Sequence, residues 1–358
     1  MDQEMSGLGM LDLLVRPGFC VKDKKIIKCN PGAQALLLEP GTDISRLLST
    51  GSEEYGEFTG GCLYLTLAIA GTFWGACVTR MEDVDVFVLE QEADGAELQA
   101  MALAARELRG PLTNVMTVAE RLFPLDTPDE DPQIRQQVAR LNRGLFQMLR
   151  MIGNMSDAGF YASAPTSNLE LMDIREVAGE IFSQAVPLVE YGGIRLNFEN
   201  LSQSLFCLID REKLERAVLN ILSNALKFTS PGGTIDARLV RHGNRLRLTI
   251  CDSGEGISDT LRGSVYSRYL RQPGIEDSRY GIGLGMVLIR SVAAIHGGTV
   301  LIDRPEGAGT RITMTLAVRQ DTSGNLRSPL LRIDYSGERD HRLVELSDIL
   351  PAEAFENR

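Results

Sequence analysis

Leu214 to Gly233 reads LERAVLNILSNALKFTSPGG, and three polar side chains in this run decide how the rest of the chain is read. Asn220, Asn224 and Lys227 stand four and then three residues apart, so on a helix all three share one face. Asparagine is unfavourable inside helices because its side chain competes with the backbone for hydrogen bonds. Two of them on one otherwise apolar helix call for a reason. A carboxamide oxygen is a hard ligand suited to Mg²⁺, and a lysine one turn further on can reach a phosphate. A polar stripe facing solvent is the plain alternative, and this run alone leaves both open.

Downstream, CDSGEGIS (251–258) puts Asp252 directly after a strand, with Gly254 and Gly256 behind it. A carboxylate there can accept the exocyclic amine proton of adenine, and glycines let the backbone approach a ring closely. YGIGLGM (280–286) then sets Gly281, Gly283 and Gly285 just before a helix running to His296. Glycines leading into a helix N-terminus supply free N–H groups and the positive dipole end for phosphates. A G-x-G-x-G run specifies little by itself; its weight comes from standing third in this order. The glycines follow a loop, not the first strand of a βαβ unit, which argues against dinucleotide chemistry.

Around these runs, residues 165–318 alternate helices with strands, among them IRLNFEN, FCLID, TIDARLV, RLRLTICD and TRITMTLAV. Three helices over a mixed, largely antiparallel sheet make a two-layer α/β sandwich. Residues 91–162 are more regular. Leu98, Met101, Ala105, Leu108, Leu112, Val115, Ala119 and Leu122 alternate steps of three and four, and Ile134, Val138, Leu141, Leu145, Met148, Ile152 and Met155 continue the pattern beyond the loop FPLDTPDEDP. Such a seam predicts an antiparallel helical hairpin. One hairpin cannot close its own seam, whereas two make a four-helix bundle, so a homodimer is expected. Packing of the hairpin on its own chain's other domains is the alternative.

Residues 1–90 read as short strands, turns and short helices: GFCVKDKKIIKCNPGAQALLL, a hairpin over 62–80, and the strand DVFVLE. This order resembles a PAS sensor domain, in which an asparagine followed by small residues often stands where this chain has NPGA; an unrelated small α+β domain stays open. The tail, 319–358, holds a strand-like LLRIDY and a helix-like HRLVELSDILPAEAFE. Docking onto the preceding domain is its expected role, with no chemistry of its own. The fold class is therefore multidomain α+β.

The composition fits this division. A chain of 358 residues, 44% hydrophobic and 24% charged, is long enough for two or three ordinary globular domains. Its net charge of −11 argues against nucleic acid or anionic membranes as partners. The six cysteines form no C-x-x-C pair, and the N-terminus lacks the basic-then-apolar form of a signal peptide, so a reducing cytoplasm is expected. Phe58 to Thr79 carries no charge and is long enough to cross a bilayer. Its four glycines and several threonines fit a buried β-hairpin better, and no membrane insertion is expected.

The runs NILSNALKFTSPGG, DSGEGI, GIGLGMVLI, HGG and EGAGTRITMTL, in this order, resemble the successive boxes of the ATP-binding domain of sensor histidine kinases, within the wider class that holds gyrase and MutL. Residues 91–162 resemble the same family's dimerisation and phosphoacceptor hairpin. The resemblance implies ATP and Mg²⁺ as cofactors, Mg²⁺ on Asn220, phosphate contacts from Asn224 and Lys227, and adenine recognition by Asp252. It further implies a phosphate lid around Gly281–Gly285, an adenine-side role for Thr310, and a response regulator or an intact histidine kinase as partner.

Two positions depart from that family. Its pattern in the first hairpin helix is His-Glu-Leu-Arg-Thr-Pro-Leu, and here Arg106, Glu107, Leu108, Arg109, Gly110, Pro111 and Leu112 stand in those places. The heptad turns position 106 outward, where an acceptor must meet ATP. A guanidinium stays protonated and has no lone pair with which to attack a phosphate. Gly110 takes the place of the Thr or Asn that the family uses for dephosphorylation. None of the chain's three histidines, His242, His296 and His341, lies in the hairpin.

These departures imply a degenerate kinase that binds ATP and Mg²⁺, dimerises, and signals by conformation or pairing. One alternative is an active kinase or ATPase acting on a partner protein. Related enzymes of the superfamily use a Glu four residues before the first Asn as general base, but here that place is Arg216, with Glu215 one residue out of register. A pure binding or scaffold module is the second alternative.

Overall fold

The protein is described from a computed structural model; the structure describes residues 11, 14, 16–81, 83–90, 95–123, 132–163, 168–201, 203–256, 284–305, 309–320 and 339–356. The strand-like run at 330–335, the loop between the hairpin helices, and Gly281 and Gly283 lie outside the described residues.

In the N-terminal part, β1 (Gly18–Lys22) and β2 (Lys25–Cys29) form a hairpin. Its turn residues Asp23 and Lys24 both adopt left-handed φ, 51° and 62°, as a tight hairpin whose twist matches its strands requires. Asn30 then caps α1 (Pro31–Ala35): its Oδ1 accepts from Ala33 N and from Gly18 N, and its Nδ2 donates to the Arg16 carbonyl. One buried carboxamide thus ties the helix start to β1. A short helix α2 (Ser52–Gly56) leads to β3 (Cys62–Ile69), β4 (Thr72–Met81) and β5 (Val84–Glu90). The uncharged stretch is the antiparallel β3–β4 hairpin, and no helix among the described residues is long and apolar enough to cross a membrane.

Next come the two long helices α3 (Gly95–Leu122) and α4 (Pro132–Ser163). The expected seam divides. Ala105, Leu112, Met116 and Ala119 of α3 are buried with Leu145, Phe146, Leu149 and Ile152 of α4, whereas Leu108, Val115 and Leu122 face outward with Leu141 and Met148. A helix of 3.6 residues per turn broadens a heptad stripe, and two helices alone cover one side of it.

The C-terminal half runs β6 (Glu170–Asp173), α5 (Ile174–Tyr191), β7 (Arg195–Glu199), β8 (Phe206–Ile209), α6 (Arg211–Phe228), β9 (Thr234–His242), β10 (Arg245–Asp252), α7 (Leu284–Ile295), β11 (Val300–Asp303) and β12 (Arg311–Ala317). Alternating buried residues on the strands, such as Leu246, Leu248 and Ile250, share one core with Ile181, Phe182, Leu219, Leu222, Ile289 and Val292 of the helices. The layering is that of the expected sandwich.

Among the described residues one ten-stranded sheet runs in the order β2-β1-β5-β4-β3-β11-β12-β10-β9-β7, with β6 and β8 paired apart. The sheet therefore crosses the expected boundary between the N-terminal and C-terminal domains. Its joint is antiparallel, with Tyr64 opposite Val300, Leu63 opposite Leu301 and Cys62 opposite Ile302. Around it, Glu54 accepts from the Thr315 hydroxyl at 2.8 Å and Arg247 pairs with Glu57 at 2.8 Å. The Arg290 guanidinium stacks over the Tyr64 ring at 4.6 Å.

The tail forms α8 (His341–Leu346) and a 3₁₀ turn, Ala352–Phe355. Leu343, Val344, Leu346, Leu350 and Phe355 are buried. Phe355 packs edge-on to Phe146 of α4, while α8 lies against both α4 and α6. The tail docks as expected, but on two elements at once.

Candidate nucleotide site

Helix α6 carries the three polar residues that began the sequence reading. Asp210 caps it, accepting from Lys213 N and held in turn by a bond from its own N–H to His296 Nε2. Along α6 the apolar side chains face the core, which presents Asn220, Asn224 and Lys227 together. Asn220 is 1% exposed, and its Nδ2 donates to the Arg216 carbonyl at 2.9 Å. Gly285, in the first turn of α7, comes so close that a Cβ there would lie 3.0 Å from Asn220 Oδ1. The start of α7 thus meets the Asn220 carboxamide with nothing larger than hydrogen between them, and Asn224 Nδ2 reaches Met286 Sδ at 3.7 Å.

At the end of β10, Asp252 is buried. Its Oδ1 accepts from Gly254 N at 2.9 Å and Thr310 N at 3.1 Å, and its own N–H donates to the Thr310 carbonyl. No hydrogen bond among the described residues engages Oδ2, which leaves an acceptor fixed in direction by the two bonds on its twin. Burial raises the Asp252 carboxyl above its ordinary value, and the Gly254 and Thr310 N–H groups oppose that rise. The glycines are required by close approach: a Cβ on Gly254 would lie 2.2 Å from the Phe228 carbonyl, and Gly256, at φ 77°, would place one 2.6 Å from the Gly309 carbonyl.

These residues fit an adenine nucleotide with a hard cation. The rigid carboxylate suits an exocyclic amine, the Gly-lined turn suits a flat ring, and the carboxamides with Lys227 suit a metal and phosphates. Thr310 belongs to the Asp252 side by its backbone. Among the described residues no cluster of His, Cys, Asp and Glu could hold a metal alone, so a cation here would draw on carboxamide oxygen and phosphate.

The tail, expected only to dock, also brings carboxylates to this helix. Glu345 of α8 is 0% exposed; its carboxylate accepts from Arg216 Nε at 3.2 Å and Asn220 Nδ2 at 3.2 Å, and pairs with Arg150 Nε at 3.4 Å. Asp348 pairs with Arg150 Nη1 at 2.5 Å and Lys227 Nζ at 3.4 Å. Arg150 also donates to Ser223 Oγ, and Arg216 pairs with Asp157 and donates to Asn154. Burial lowers the Lys227 ammonium from its usual value, as does the nearby Arg150, while Asp348 holds it up. Arg150, Glu345 and Asp348 gave no signal in the sequence, because their partners lie far away along the chain. Arg216 could be noted only as a misfit where a base was sought. Its neighbour Glu215 lines a cleft with Arg211, His341 and Arg342, and burial raises its carboxyl.

Arg106, Glu107 and Gly110 are exposed on α3, and a Cβ at Gly110 would meet nothing within 4 Å. Pro111 follows inside the same helix. His242 is exposed near Glu57, His296 is buried between Asp210 N and the Val292 carbonyl, and His341 opens α8.

Residues 209–320 match the profile of the histidine kinase-, DNA gyrase B- and HSP90-like ATPases. The hybrid signal transduction histidine kinase D of Dictyostelium discoideum is 25% identical over 243 residues, 66% of this chain and 16% of that protein. The adaptive-response sensory kinase SasA of Parasynechococcus marenigrum (strain WH8102) is 26% identical over 251 residues, 67% of this chain and 63% of that one. Full-length ShkA in complex with AMPPNP resembles this fold with a TM-score of 0.50, at 21% identity over 62% of this chain and 46% of that chain. The chain thus spans between a sixth and two thirds of the length of the curated relatives named here.

Proposed function

Since this chain belongs to the histidine-kinase family of two-component signalling, we propose that it is a degenerate member, binding ATP with Mg²⁺ but forming no phosphohistidine on its hairpin. The observation that carries the reading is Arg106, exposed at the acceptor position of α3, with Gly110 one turn on. Both substitutions remove chemistry without removing the helix. Asp252 would receive the adenine amine, Gly254, Gly256 and Thr310 would shape the ring's bed, and Lys227 and Asn224 would meet the phosphates. Asn220 would supply oxygen to Mg²⁺, and Gly281, Gly283 and Gly285 belong to the lid that the family resemblance implies. A bound nucleotide would bring the only transferable phosphoryl group; the hairpin has no histidine to take it.

The exposed stripe of Leu108, Val115, Leu141 and Met148 supports a homodimer through a four-helix bundle. All six cysteines are free, which suits a reducing cytoplasm. Output then comes through conformation, or through an intact histidine kinase or a response regulator as partner. The N-terminal part, read as PAS-like, would supply the signal.

The test uses γ-labelled ATP with Mg²⁺. The wild-type chain should take up no acid-labile label, while Arg106→His, alone or with Gly110→Thr, should take up some. Acid-labile label on the wild type would overturn the reading. Acid-stable label would favour phosphorylation of a hydroxyl, hence an active kinase.

A further inference from the structure

We propose that the C-terminal segment 339–356 is an intramolecular competitor for the metal and phosphate side of the nucleotide site, with Glu345 and Asp348 engaging the groups that would hold a nucleotide's phosphates and cation. The inference rests on the nucleotide reading above and adds its regulation.

Three cations converge at this point: Arg150 from α4, and Arg216 and Lys227 from α6. With the tail docked they face three carboxylates, Glu345, Asp348 and Asp157. Two of those three arrive on the tail. When the tail leaves, two of these carboxylates leave with it, and the three cations are better placed to hold an anion. A segment needing only anchorage would dock through apolar side chains, which Leu343, Leu346, Leu350 and Phe355 already provide. Glu345 instead carries a fully buried charge, and desolvating a carboxylate is repaid only by close, well-formed partners. Those partners include the very carboxamide expected to meet the metal.

The tail and a nucleotide would share groups here. Lys227 is paired to Asp348, a contact that an incoming phosphate would have to replace, and Asn220 gives its Nδ2 to Glu345, which sets that carboxylate beside the carboxamide whose oxygen would face the cation. The backbone of the tail is held as well. Arg143 donates to the Ser347 and Asp348 carbonyls, Gln147 to the Ser347 carbonyl, and Asn142 to the Phe355 carbonyl. All three donors lie on α4. Release of the tail would remove these ties to α4, while the direct bonds of Arg150 to Ser223 and of Arg216 to Asn154 and Asp157 would still hold the hairpin to α6. On the adenine side, the hydrogen bonds of Asp252 among the described residues go to Gly254 and Thr310 and none to the tail.

The experiment titrates the full chain with AMP-PNP in Mg²⁺ and, separately, with adenosine. The isosteric pair Glu345→Gln with Asp348→Asn should bind AMP-PNP·Mg²⁺ about tenfold tighter than wild type, within the usual range of coupling between sites, and bind adenosine unchanged. Equal AMP-PNP affinities, or a parallel gain for adenosine, would overturn the competition. A measurement on the wild type covers the case of a misfolded variant. Saturating AMP-PNP·Mg²⁺ should speed amide hydrogen exchange in 343–355, since coupling is reciprocal; nucleotide binding with unchanged or slower exchange there overturns the proposal while leaving the nucleotide reading intact. If neither wild type nor variant binds either ligand, both readings fall.

Discussion

Arg150 donates to the Ser223 hydroxyl at 2.8 Å, so a side chain of the hairpin is bonded into the helix that carries Asn220. The same guanidinium meets Glu345 and Asp348. Arg150→Ala would leave Glu345 buried with one cation fewer, and breaking a buried pair from one side costs about 3–5 kcal/mol. Urea unfolding should show the loss as a shifted midpoint. Because the bond joins α4 to α6, the variant should also split a common transition into two.

Asp252 is expected to set binding against stability. Its raised carboxyl means that the folded chain holds this proton more tightly than the unfolded one. Stability from this group is therefore greatest at low pH and falls as pH rises from the unfolded carboxyl range through the folded value. Asp252→Asn keeps an oxygen for Gly254 N and Thr310 N and removes the buried charge. Its ligand-free melting temperature should equal or exceed that of wild type at pH 7, while its nucleotide affinity falls by about tenfold or more, at least 1.4 kcal/mol. Calorimetry and thermal melts on the same samples check both.

His296 should make the fold acid-sensitive. Its Nε2 accepts from Asp210 N and its Nδ1 lies 2.8 Å from the Val292 carbonyl, so the neutral ring with the proton on Nδ1 suits both neighbours. Burial holds its basicity below the usual imidazole value, outweighing the Val292 carbonyl and Asp210. The unfolded chain then binds the extra proton first, and stability drops as pH falls from about 6.5 toward the folded value. Denaturant midpoints at successive pH values should decline below that point. In His296→Gln the decline should flatten.

Leu108 and Val115 are 51% and 52% exposed one heptad apart on α3. Burying a side chain of this size contributes roughly 1.5–3 kcal/mol, so a second copy has much to gain by covering them. Light scattering on the full chain is expected to give twice the monomer mass, and Leu108→Asp with Val115→Asp should give the monomer mass.

Much of this arrangement could be read from the residues, for identifiable reasons. Helix α6 and its polar face follow from spacing within a few turns, and the turn at Asp252 follows from glycines set within five residues of it. The Ala105 and Leu112 seam was legible, but which of its members a single chain would bury was not, because the period does not say how many helices surround it. The β3–β11 joint had no local sign: a strand's alternation names its faces and is silent about the strand at its edge. Glu345 read as an ordinary helix glutamate, since its meaning comes from Arg216 and Asn220, more than a hundred residues away.

That joint bears on how the C-terminal half behaves when separated. Strand β11 pairs with β12 on one side and β3 on the other, so cutting away residues 1–90 would strip one whole side of β11. The strand would then offer a bare row of N–H and C=O groups along Val300, Leu301 and Ile302, an invitation to edge-to-edge aggregation. An excised 165–320 fragment should grow in light-scattering mass with concentration, and Leu301→Lys should restrain that growth. The N-terminal part thus covers the edge of β11 that the fragment would expose.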